Sequence, residues 1–184
     1  MNINTNTLIE NLISQNFALN KYKQIIEDVK RVDVSKDKEY QKVYNYFYKV
    51  RRNEQWRKVY YNIFEKSKNN TFLKFEDVIT ELYQKTNRVE ASFSSKLLAT
   101  INPDMPIWDR YILFNLGFEL KGKTNEERLC NAITLYDNII EWYEEFLKTD
   151  NAKECLDLFR FTMPNYQWLT DIKIIDYLVC SIRE

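Results

Sequence analysis

The stretch SSKLLATINPDMPIWDRYILFNLG, residues 94 to 117, decides how the chain is read. An apolar segment, SKLLATI, runs into Asn102-Pro103. The residue before a proline avoids helical angles, so a helix should end there. Pro106 then leads to Asp109, a residue type that caps helix N-termini, and RYILFNL follows with helical spacing. Gly117 is a suitable stop for that short helix. Two of the chain's three prolines and one of its two glycines are spent in these few positions. A sheet protein of 184 residues would need turn residues about every 8–12 positions. The scarcity of such residues elsewhere therefore predicts an all-α fold.

Working outward, the hydrophobic spacing predicts about 8–9 helices. Thr7 and Glu10 form a capping box ahead of Leu8, Ile9, Leu12 and Ile13. A second helix should cover residues 18–32, and Ser35 should start a third with Asp37 and Glu39 in its first turn. NEQWRKVYYNIFEK, KFEDVITELYQK and VEASFSSKLLATI give the next three. After the Asp109 helix, Thr124 and Glu127 form a second capping box, opening a long amphipathic helix that carries Leu129, Ile133, Tyr136, Ile140, Tyr143 and Leu147. AKECLDLFRF is a further helix, and Thr170 or Asp171 caps the last, IKIIDYLVCSI. The length fits a single compact domain over 1–184; if two lobes form, their boundary falls near residue 90, giving 1–90 and 91–184.

Composition removes several chemistries. There is no histidine, so imidazole acid–base catalysis, Ser-His and Cys-His nucleophiles and His-ligated metals are excluded. With only Gly117 and Gly122, no phosphate-binding glycine loop can exist. The sequence calls for no metal and no organic cofactor. Cys130, Cys155 and Cys180 are widely spaced and in apolar contexts, as reduced core thiols of a cytoplasmic protein would be. No apolar run approaches the roughly 18 residues of a membrane span, and the N-terminus lacks the basic start of a signal peptide.

Net charge is zero but unevenly spread. Residues 40–61 carry +5 and residues 119–157 carry −5. The basic stretch interleaves Lys42, Lys49, Arg51, Arg52, Arg57 and Lys58 with tyrosines and Trp56. That pattern suits phosphate contacts with base stacking, and it equally suits a solvated helix face over an aromatic core stripe.

Helix, short loop, PIWD, helix and Leu-Gly together resemble the second half of the helix-hairpin-helix DNA glycosylase pattern. Pro106, Ile107, Asp109, Ile112, Leu116 and Gly117 carry the likeness, with SKLLATI in the place of the hairpin's second helix. FSSKLL, NPDMPIWD and IKIIDYL also resemble segments of a group of bacterial proteins. The glycosylase resemblance implies a fold with a cleft between two lobes, duplex DNA as partner, and Asp109 as the catalytic carboxylate. Two features depart from that family. Its hairpin normally turns on glycines, and TNRVEASFSS has none. Its bifunctional members carry a Schiff-base lysine farther ahead of the aspartate; at that spacing this chain has Ala91, while Lys96 lies only 13 residues before Asp109.

Candidate site residues follow. Asp109 reads either as a helix cap or as a carboxylate that stabilises a sugar cation or activates water. Trp108 reads as a pocket wall or as core. Arg51, Arg52, Arg57 and Lys58, with Ser94, Ser95 and Lys96 at the start of a helix, are candidate DNA contacts; the small residues there serve close helix packing just as well. Lys173 and Asp176, one turn apart, read as a surface or buried structural pair. Two functions stand side by side: a DNA-binding protein performing monofunctional base excision with Asp109, or a non-catalytic helical interaction protein, regulatory or defensive, whose charge asymmetry favours self-association.

Overall fold

The computed structural model describes residue 3 and residues 16–182; the capping box at Thr7 and Glu10 lies outside them. Among the described residues there are nine α-helices and no strand. They are α1 (Asn16–Asp28), α2 (Lys38–Phe47), α3 (Glu54–Ser67), α4 (Phe75–Thr86), α5 (Ala91–Ile101), α6 (Arg110–Leu116), α7 (Asn125–Phe146), α8 (Asp150–Thr162) and α9 (Asp171–Ser181), with a 3-10 turn at Pro164–Tyr166.

Most helix starts follow the expected caps. Asn53 accepts from the amide of Trp56, Asp109 from that of Tyr111, and Thr170 from that of Lys173. Gly117 closes α6 in the left-handed conformation, φ 70°. Two details differ. α2 begins at Lys38 with Asp37 as its cap, because the Ser35 hydroxyl is drawn instead to Asp33, 2.6 Å away. At α7, Thr124 accepts from the Glu127 amide, but the Glu127 carboxylate reaches one residue further back, to the amide of Lys123 at 2.7 Å.

Two hydrophobic cores share one wall. The first joins Leu19 and Tyr22 of α1 to Trp108, Ile112 and the inner faces of α7, α8 and α9. The second gathers Ile25, Val29 and the aromatic residues Tyr40, Tyr44, Tyr48, Trp56, Tyr60, Tyr61 and Phe64. The wall is the α4–α5 hairpin. Phe75 and Ile79 of α4 face the first core, and Val78 and Leu82 face the second. In α5, Leu98 faces the first and Leu97 the second. The division between cores therefore runs along both helices of the hairpin, and α1 also contributes to both.

The hairpin turns without glycine. Asn87, after α4, adopts φ 54°, ψ 34° and donates its amide to Tyr83 O at 2.7 Å. Asparagine tolerates the left-handed region better than most residues because its short polar side chain bonds locally. The turn is fastened by Arg52, whose guanidinium makes two bonds, 3.0 and 2.9 Å, to the Glu90 carboxylate.

The aromatic side chains of residues 40–61 make a core rather than a stacking surface. The Tyr44 and Tyr60 hydroxyls meet at 2.7 Å, and Tyr61 donates to Asn45 at 2.8 Å. Tyr46 points outward, 56% exposed, with Lys49 and Lys21 above its ring at 4.5 and 4.9 Å.

Candidate functional site

The short α6 begins where the proline-bearing segment meets α5. Asp109 is set there as the α6 cap, one carboxylate oxygen accepting from the Tyr111 amide at 3.0 Å. Its other oxygen, Oδ2, lies 3.8 Å from Nζ of Lys96. The two side chains face one cavity of about 600 Å³. Its walls come from α1 (Leu19, Tyr22), the end of α2 and its following loop (Phe47, Tyr48, Lys49, Arg51), α5 (Lys96), the segment leading into α6 (Ile107, Asp109, Arg110, Tyr111) and α9 (Lys173, Asp176, Tyr177, Cys180). Both cores thus contribute, and the space is a cleft at their junction.

Lys96 is 8% exposed, while the Asp109 side chain keeps 27% exposure toward the opening. Burial pushes the Lys96 amine below the ordinary lysine range, and the Asp109 carboxylate partly opposes that shift. Ser92 on the same helix is 3.0 Å from Nζ, and the rings of Tyr48 and Phe93 lie within 6 Å. Cys180 also lines the cavity, its thiol held protonated by burial and by the nearby carboxylates of Asp109 and Asp176. The lining carries five cationic side chains, Lys49, Arg51, Lys96, Arg110 and Lys173, against two acidic ones. Such a surplus favours an anionic ligand.

The segment leading to Asp109 is held from several sides. Thr170 donates to Pro103 O at 2.9 Å, Lys173 to Met105 O at 2.7 Å, and Tyr136 to Pro106 O at 2.7 Å. The Ile107 amide donates to Asp176 at 3.3 Å, and the Trp108 amide to Ser95 Oγ at 2.7 Å. Lys173 and Asp176 form a buried ion pair, so the turn-spaced charges on α9 are structural and interior. Tyr143 adds a bond of 2.8 Å to Asp176. Burial raises the Asp176 carboxyl above the usual range, while Lys173 and Tyr143 pull it back.

The other expected site residues divide. Arg51 is exposed at the cavity. Arg57 and Lys58, half-buried and exposed on α3, do not line it. Arg52 is engaged by Glu90. Ser94 and Ser95 are fully buried, so they are not DNA contacts; Ser95 is spent on the Trp108 amide and on Ser92 O at 3.1 Å. The buried Glu90 carboxylate at the start of α5 would also repel a phosphate there. Trp108 is core rather than pocket wall, 5% exposed and parallel to the Phe75 ring at 6.3 Å.

Sequence spacing missed the meeting of Lys96 with Asp109. The signal was in Ser95: a small hydroxyl beside Lys96 lets the returning chain dock against α5. The α9 residues were visible as a pair but not as part of this cleft. No protein-family model, curated protein or solved structure matches the chain.

Proposed function

We propose that this protein excises a base from DNA, taking a flipped-out nucleotide into the cavity, with Lys96 as nucleophile and Asp109 as the assisting carboxylate. The observation that carries the reading is the buried amine of Lys96 at 3.8 Å from Asp109 Oδ2 inside a cationic cleft. About 600 Å³ falls within the usual range of ligand pockets. Enzymes acting on a base must extrude it from the duplex. Lys49, Arg51 and Arg110 at the cleft are suited to the flanking phosphates. The resemblance around Pro106–Asp109 supports the same chemistry, now with the lysine that linear spacing had set aside.

A buried lysine reacts as the neutral amine. Nζ attacks C1′ of the flipped nucleotide, the bond from C1′ to the base breaks, and the base leaves with the electron pair and takes up a proton. Asp109 faces the positive charge that grows on the sugar and receives the proton lost by the amine. Opening of the sugar ring leaves an imine between C1′ and Nζ. Water adds to the imine, releasing the abasic aldehyde and restoring Lys96.

Borohydride reduction tests this directly, since it converts the imine into a permanent protein–DNA link. Wild-type protein is expected to form the link with abasic or base-damaged duplexes, Lys96→Gln none, and Asp109→Asn at a rate about 10²- to 10⁴-fold lower. Binding by fluorescence anisotropy should weaken steeply between about 50 and 200 mM salt. Binding without any adduct would remove the amine chemistry. Absence of binding at low salt would remove the DNA reading and leave a helical interaction protein, recognisable by a mass that rises with concentration.

A further inference from the structure

We propose that Lys173 and Asp176 are positioning residues: with Thr170, Tyr136 and Ser95 they clamp residues 103–108 in one conformation, and that conformation sets the Asp109 carboxylate beside the Lys96 amine. The role rests on the excision reading for its purpose, but the clamp itself is a claim about geometry.

Residues 103–108 form no helix or strand; a turn at Asn102, which accepts from the amides of Asp104 and Met105 at 3.1 Å each, ties only their first part, and residues 106–108 are held from elsewhere. Pro103 and Pro106 have no amide hydrogen to donate, and the carbonyls of both accept from side chains of other helices. The outside groups come from three helices. Thr170 caps α9, Lys173 and Asp176 lie within it, Tyr136 is in α7, and Ser95 is in α5. Between them they take the carbonyls of Pro103, Met105 and Pro106 and the amides of Ile107 and Trp108. The next residue is Asp109.

A buried ion pair is an expensive way to fill space, and an apolar pair of similar volume often serves stability as well. What Lys173 and Asp176 add is direction: an ammonium aimed at one loop carbonyl and a carboxylate aimed at one loop amide. The last bond of the series is the most specific. Ser95 grips the Trp108 amide from the position next to Lys96, so adjacent residues of α5 hold the backbone one residue ahead of the aspartate and face its side chain.

Asp176→Asn would strand the buried Lys173 charge and destabilise the fold, so Thr170→Val and Tyr136→Phe carry the test. Each removes one hydroxyl and no charge. At saturating abasic duplex, both are expected to slow borohydride trapping about 10- to 100-fold with unchanged affinity, the scale of a roughly 1 Å misplacement. Thr170→Ser should restore the rate.

A second readout needs no DNA: the pH dependence of Lys96 modification by formaldehyde and borohydride, followed by mass spectrometry. Lys96 faces Asp109 at the α6 cap, Cys180 on α9 and the Tyr48 ring, with Ser92 on its own helix and Lys173 and Asp176 in the same lining. Withdrawing the Asp109 carboxylate should lower the Lys96 midpoint in both variants, the same direction expected of Asp109→Asn. Mere loosening would expose the amine and raise the midpoint instead. A lowered midpoint without any DNA adduct keeps the clamp and rejects excision. An unchanged or raised midpoint overturns the clamp, whatever happens on DNA.

Discussion

At the residue scale, Asp109 was legible because cap residues announce themselves by type and position, and Gly117 equally so. Lys96 was not, because its role depends on where a loop returns rather than on spacing along the chain. Asn87 shows the same limit from the other side. A missing glycine argued against a tight hairpin, yet asparagine takes the left-handed angles. Asn87→Ala is expected to cost about 1 kcal/mol, with Asn87→Gly near neutral, in urea unfolding. The depressed pKa of Lys96 has a stability signature of defined sign. Between the lowered folded value and the unfolded one near 10.5, the unfolded chain binds more protons, so stability rises with pH across that window. Lys96→Met should therefore be more stable than wild type at neutral pH, and unfolding curves should show the gap narrowing as pH approaches 10.5.

At the element scale, caps and apolar stripes located most helices within a residue or two. The start of α2 moved because Ser35 had a closer partner in Asp33 than in any helix. Periodicity also located the stripe of α4 without revealing that neighbouring stripe residues, Val78 and Ile79, enter different cores. A face is encoded in one segment; which partner covers it is encoded in all the others. Leu97→Ala and Leu98→Ala, both fully buried and facing different cores from α5, should each lose about 2–5 kcal/mol, measurable by denaturant titration.

At the scale of the whole molecule, a neutral chain conceals a basic early segment and an acidic later one. The sequence left the basic segment as either a phosphate-and-stacking surface or a solvated face over an aromatic core stripe. Folding divides it: its tyrosines other than Tyr46, with Trp56, become the second core, Arg52 is tied to Glu90, and Arg51 and Lys49 reach the cleft. No described helix is long and apolar enough to cross a membrane. The shared α4–α5 wall predicts that the two cores melt together, so calorimetric and van't Hoff enthalpies should agree for wild type and for both leucine variants.

That wall also carries the Lys96 amine. Lys96 sits on a partition supported from both sides, so slack introduced into either core reaches the same nitrogen. A reagent that labels Lys96 would act as a single gauge for the entire chain, registering damage among the aromatics of the second core as readily as damage around α9.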